Sequence, residues 1–395
     1  MKKMKIIIKL WFALTIALVS GCVEEFDADV DTIPAEGLVV EGNIISDSTV
    51  VFRLSKTLPL HITPDDFEFE SYLEVDAEVI VKGNDGTFWL GNKCGRGQYQ
   101  VAIGTLNPNV EYQLEILYND DVYHSKPQKP LPVTDIERLA FKQDNNNGLV
   151  NIYLDTQKSE NTQYFLWYFE ENWEVHAVYV TTTLYDFEQD RIISYDYPPV
   201  AQGWCYSQTD QILLGTSEAN VENRIVGKNI QTIENFNSRL SVLYNIRVQQ
   251  RNLTPEEYEY YQERDKLNNE MGGLFTPQPT ELPTNITCSN LSRKVVGYVG
   301  CNMGVAQRHL YISEREVDYV DHNLCDIGKD LPGSNKDKYL AGYQVAIHTP
   351  LGMEWARIEC VDVTARNANP RGRPSWWPNP YLYDEEDSDD KSGLD

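Results

Sequence analysis

Alternation of apolar and polar residues with a period of two runs through much of the sequence. It restricts the chain to a mostly β fold, because successive side chains of a strand point to opposite faces. Val110, Tyr112, Leu114 and Ile116 fall on one face of such a run. Leu38 to Ile44 and Ala77 to Lys82 are similar. Gly83-Asn84-Asp85-Gly86 then supplies residues that tolerate positive φ, and Thr87 to Leu90 returns, which predicts a hairpin. Asn119-Asp120-Asp121 with Val122-Tyr123-His124 predicts a second hairpin. Composition agrees. With 24 Tyr, 12 Phe and 8 Trp, the chain is rich in residues that suit a pleated, half-buried surface.

The spacing of these runs divides the chain. Residues 37–130 are expected to form an immunoglobulin-like or fibronectin-like β-sandwich. Leu106-x-Pro108-x-x-x-Tyr112 resembles a tyrosine corner, in which the hydroxyl bonds back to upstream backbone. Pro127, Pro130 and Pro132 mark a linker, and residues 133–380 form a larger β-rich second domain. Strands are expected at 149–154, 164–180, 240–250, 295–299, 309–312 and 339–347. One helix interrupts them, at about 254–271. Thr254 is its N-cap, Pro255 occupies N1, and Glu257 at N3 completes a capping box. Leu253 and Tyr258 form a hydrophobic staple, Gly272-Gly273 stops the helix, and Tyr258, Tyr261 and Leu267 dock it on a sheet. The last segment, 384–395, holds seven acids and one Lys and is expected to be disordered.

The N-terminus carries a different signal. Lys2, Lys3, Lys5 and Lys9 precede an uncharged apolar run, Leu10 to Val19, about half the length a spanning helix needs. A basic start followed by a short apolar run is a signal-peptide pattern, here residues 1–21. Val19-Ser20-Gly21-Cys22 resembles the lipobox of bacterial lipoproteins, which makes Cys22 the expected lipidated (palmitate-bearing) first residue. No second run of eighteen apolar residues follows, so lipid is the expected membrane attachment. Residues 22–36 form an acidic tether. Glu24, Glu25, Asp27 and Asp29 so close to the lipidated Cys resemble the signal that sends some lipoproteins to the outer face of the outer membrane.

The formal charge is −26; the leader holds four lysines and no acid, so the mature chain stands at −30. Such a surface repels phosphate backbones and excludes nucleic acid as an expected partner. Beyond Cys22 there are six cysteines, Cys94, Cys205, Cys288, Cys301, Cys325 and Cys360, enough for three disulfides in an exported chain. Neighbourhood in the chain suggests Cys205–Cys288 and Cys325–Cys360 and leaves Cys94 and Cys301 open. The wide spacing does not suit a zinc site.

No catalytic motif is present: no HExxH, GxSxG, phosphate loop or strand-linked GxGxxG. No catalytic residue, metal or cofactor is expected. Asp318, Asp321, His322 and Asp326 cluster in sequence but have no defined ligand loop, so they read as a solvated polar loop. Pairs of acids are too frequent in a chain with 60 of them to mark a glycosidase. The aromatic clusters Tyr164–Trp173 and Trp376-Trp377 could stack on sugars, but such clusters more often build core in β domains.

Several short motifs occur in a characteristic order: Val39-Val40-Glu41-Gly42, Gly97-x-Tyr99, Cys205, Leu243 to Gln249 leading into the Tyr-rich helix, Gly272-Gly273-Leu274-Phe275 with Pro277 and Pro279, Asn285-Ile286, Val296-Gly297-Tyr298, Cys360-Val361-Asp362 and Pro374-x-Trp376. Together they resemble the domain-of-unknown-function family 4249, of outer-membrane lipoproteins. The family often carries a second Cys near Thr364, which this chain lacks, so its disulfide pairing does not transfer. The resemblance implies an outer-membrane lipoprotein, commonly encoded beside a TonB-dependent transporter. The expected function is a non-enzymatic accessory or binding component of such an uptake system. A glycan-binding or adhesive surface protein, and a hydrolase with an unrecognised carboxylate site, are the alternatives.

Overall fold

The computed structural model describes residues 37–58, 63–198, 200–270, 282–320, 325–328 and 331–378. The leader, Cys22, the tether, Gly272-Gly273 and the acidic C-terminal segment lie outside the described residues.

Seven strands come first: β1 (Leu38–Ile45), β2 (Ser48–Lys56), β3 (Glu78–Gly83), β4 (Phe88–Gly95), β5 (Gln98–Ile103), β6 (Tyr112–Tyr118) and β7 (Asp121–Ser125). A short helix, Phe69–Leu73, lies between β2 and β3. Next are β8 (Ile136–Gln143), β9 (Val150–Thr156), β10 (Tyr164–His176), β11 (Thr183–Asp186) and β12 (Arg191–Ser194). Then come β13 (Gln202–Gln208), β14 (Leu213–Thr216), β15 (Lys228–Ile233) and β16 (Leu243–Leu253). After the helix Pro255–Glu270 follow β17 (Ile286–Cys288), β18 (Val295–Asn302) and β19 (Ala306–Ser313). Helix Asn335–Leu340, β20 (Tyr343–Thr349) and β21 (Gly352–Arg357) complete the described chain. The protein is mostly β, as its alternation requires.

The first sheet has nine strands in the order β17-β7-β6-β3-β4-β5-β2-β1-β18. It is rolled into a barrel-like sandwich, and the inward residues of opposing halves share one core, including Val40, Phe52, Leu54, Val81, Val101, Leu114 and Val299. The sandwich-like packing expected for residues 37–130 is thus completed by strands from residues 286–302, beyond the linker. β1 and β18 pair in parallel, Leu38 opposite Val295 and Ile45 opposite Asn302. β17 and β18, the two ends of the sheet, meet through side chains. The Asn285 amide donates to the Val299 carbonyl at 2.9 Å and accepts from the Val299 N–H at 3.0 Å, as a strand backbone would. Thr284 Oγ1 adds a bond to the Gly297 carbonyl at 2.6 Å.

Two glycines of the family-like motifs make this closure possible. Gly42 (φ 151°) lies under Phe52, and a Cβ there would come within 2.4 Å of that ring. Gly297 (φ 127°) lies against the Val40 carbonyl, which a Cβ would meet at 2.0 Å. Only glycine fits such backbone angles and approaches at no steric cost. The anticipated Tyr112 bond is also present: its hydroxyl accepts from the Asn107 N–H at 2.9 Å.

The second core lies between two further sheets, β15-β9-β8 and β13-β10-β16-β19, with β14 paired to the start of β10. Ile152, Leu154, Phe165, Trp167, Tyr244, Ile246, Val248, Leu310 and Ile312 fill it. The Trp167 indole donates to Gln250 Oε1 at 2.8 Å, so its polar handle is satisfied inside. β10 ends at His176, short of the expected Val180. The hairpins β11-β12 and β20-β21 pack beside this sandwich around Leu184, Tyr185, Val345, Ala346, Trp355 and Ala356. Among the described residues, no helix is long and apolar enough to cross a membrane.

Candidate binding face

The alternation that sends Phe165, Trp167 and Phe169 into the second core sends Tyr168, Glu170, Asn172 and Glu174 to the opposite face of β10. Arg247 and Asn245 on β16 share that face, opposite in parity to Tyr244, Ile246 and Val248. Register then assembles transverse rows. Gln208, Glu170, Arg247 and His309 lie side by side, and so do Tyr206, Asn172, Asn245 and Tyr311. Glu170 and Arg247 form an ion pair across their strands.

The segment after Asn369 folds back over one end of this face. Trp204 and Asn369 form an isolated bridge, and Trp377 then reaches Glu174, donating its indole N–H to Oε2 at 3.0 Å. Trp377 meets the edge of Tyr311 at a centroid distance of 6.4 Å. Trp376, next to it, stands edge-on to His309 at 5.5 Å. The aromatic dipeptide flagged by the sequence therefore divides its labour: Trp377 is buried and Trp376 is exposed. Burial and then Arg247 push the His309 imidazole below its usual value. Burial pulls the Glu174 carboxyl upward, but hydrogen bonds from His176, Trp377 and Gln202 outweigh it and hold the group below its usual value.

The helix Pro255–Glu270 bounds the other end. Thr254 caps it as anticipated, accepting from the Glu257 N–H at 3.1 Å. Sequence spacing did not reveal what lies beneath. Glu257 is 0 % and Arg251 3 % exposed, and they pair at 2.5 Å. Arg251 also reaches Asn302 Oδ1 at 3.3 Å and the Tyr261 hydroxyl at 3.1 Å. Burial works against the guanidinium charge, yet Glu257 beside it holds its pKa above the usual value. Tyr260 and Tyr261 both pack inward, Tyr260 against Tyr298 at 5.8 Å. The helix, the second sandwich and β18 of the first sheet thus meet at one buried pair.

The cysteines require one correction. Cys325 and Cys360 are bonded, with Cα atoms 5.8 Å apart. Cys205 and Cys288 are not bonded; both are free and buried. They belong to different cores: Cys205 packs with Val175, Val363 and Ala368, and Cys288 lies in the first sheet opposite Tyr123. Nearness in sequence could not distinguish the two cores. Cys94 and Cys301 are free as well. Of the acidic run 318–326, Asp321 and His322 lie outside the described residues. Among the described residues, no three His, Cys, Asp or Glu side chains converge as a metal would need.

Among the described residues, two large β cores meet beside the buried Arg251–Glu257 pair, and the outer face of one sheet is polar and aromatic, in a protein that is β-rich throughout. The chain belongs to the family DUF4249, a domain of unknown function, which matches residues 23–306. The match spans β1 to β18 and stops at the start of β19, so Trp376 and the β20-β21 hairpin lie beyond it. No curated protein matches the chain.

Proposed function

We propose that this protein is a lipid-anchored outer-membrane binding component, facing the cell exterior and working without catalysis beside a TonB-dependent transporter. The observation that carries the binding role is the open face between helix Pro255–Glu270 and Trp376, with its central Glu170–Arg247 pair. The anchor rests on Val19-Ser20-Gly21-Cys22 after a basic and apolar leader. The transporter rests on the resemblance to family 4249. An anchor confines the chain to the membrane plane and raises its effective concentration near a membrane partner, so a modest interface suffices.

The carboxylates of the face support a non-catalytic role. Glu170 and Glu174 lie four residues apart on one strand, about 13 Å along it, beyond the roughly 5–9.5 Å of glycosidase pairs. Each is also engaged, Glu170 by Arg247 and Glu174 by His176, Gln202 and Trp377.

The test is crosslinking on intact cells, followed by pull-down of the lipidated protein. A TonB-dependent transporter should be recovered with wild type. Cys22→Ser should abolish palmitate labelling and release the protein from membranes. Labelling that survives the substitution removes the anchor. Failure to recover a transporter from a labelled, membrane-bound protein removes the partner.

A further inference from the structure

We infer that the outer face of the β13-β10-β16-β19 sheet is a binding site for a neutral oligosaccharide. This names a ligand class for the binding role above and rests on that reading for its setting.

A sugar ring has an apolar C–H face and a rim of hydroxyls. A site for it needs aromatic rings open on one side and hydrogen-bonding groups between them. Both are present. Tyr206, Trp376 and Tyr168 are 56 %, 42 % and 39 % exposed. They are placed around the Glu170–Arg247 pair: Tyr206 towards the β13 edge, Trp376 over His309 at the β19 edge, and Tyr168 two residues along β10. From β13 to β19 is three strand spacings, about 14 Å, and two residues along a strand is about 7 Å. That area suits a short oligosaccharide laid across the strands.

The polar groups have unused capacity. Arg247 Nε is buried and has no hydrogen-bond partner. Unpaired buried polar atoms are costly, and a hydroxyl-bearing ligand or the water it retains is a means of satisfying them. Gln208 and the Glu170 carboxylate add a donor and acceptors in the Arg247 row. Trp376 is held in place before any ligand arrives: it packs on Trp377 at 5.8 Å, and Trp377 is tied to Glu174. Such preorganisation lowers the entropy lost on binding. The ion pair cancels charge at the centre while the chain as a whole is strongly acidic, which disfavours anionic glycans and selects neutral ones.

The experiment is an array of neutral oligosaccharides probed with the purified full chain. A subset of glycans should be retained. Trp376→Ala and Tyr206→Ala should each weaken retention about fivefold or more. Tyr197→Ala, at an exposed aromatic outside this face, should leave it unchanged. Circular dichroism of the variants confirms that they fold. The proposal is overturned if wild type retains no neutral glycan, or if both face variants bind as wild type does. A blank array together with transporter recovery that depends on Trp376 would make the face a protein interface and overturn it equally. Neither array result depends on lipidation, so the anchor stands or falls separately.

Discussion

Glu174 links the strand that carries it to the segment that closes over it. Its carboxylate is nearly buried, and burial alone would raise its pKa; bonds from His176, Trp377 and Gln202 pull the value below 4.5. A carboxylate whose folded pKa is depressed adds stability above its unfolded value and loses it as pH falls through the folded one. Wild type should therefore lose melting temperature as pH drops below about 4.5. Glu174→Gln should be less stable at neutral pH and show a flatter profile over that acid window. Thermal unfolding across the pH range measures both. A variant profile parallel to wild type would show that Glu174 contributes no linkage. At this scale the sequence was partly legible. It flagged Trp376 and Trp377 but could not separate the exposed ring from the buried one, because both stand in one short irregular run. It marked Glu257 as a capping residue, yet spacing along a helix says nothing of Arg251 beneath.

The helix Pro255–Glu270 was the clearest element in the sequence, because its start is written in local chemistry. Thr254→Ala should cost about 1 kcal/mol, read as a lower urea midpoint with an unchanged slope. An unchanged midpoint would mean that packing of Tyr260 and Tyr261 alone holds the first turn. Long strands were also legible: β1, β6 and β16 repeat the alternation several times, and β10 is rich in Tyr, Trp and other strand-favouring residues. Strands β11, β12 and β14 were not, because four residues give a period of two almost no room to show itself. Nor was the Asn285 seam. The residue stood out as part of a motif, but a side chain acting as a strand leaves no periodic trace.

Across the whole molecule, stability is distributed among separate cores. The Cys325–Cys360 bond, with a sequence separation of 35, clamps only the hairpin unit beside the second sandwich. Replacing both cysteines by Ser should cost about 2–4 kcal/mol there. Hydrogen exchange should speed up in β11, β20 and β21, while β1 to β6 keep their protection. Uniform loss of protection would show instead that the cores unfold as one. The rolled first sheet has a further consequence. β1 is paired on one side with its neighbour β2 and on the other with β18, and the Asn43–Gly300 bond crosses 257 residues. A chain made from its N-terminus presents β1 long before its second partner arrives. Until then an open row of amides and carbonyls invites pairing with any other strand. Such distant pairing is slow to form. The parallel closure therefore leaves one β-edge of the nascent chain without its final partner until residue 302 has been made.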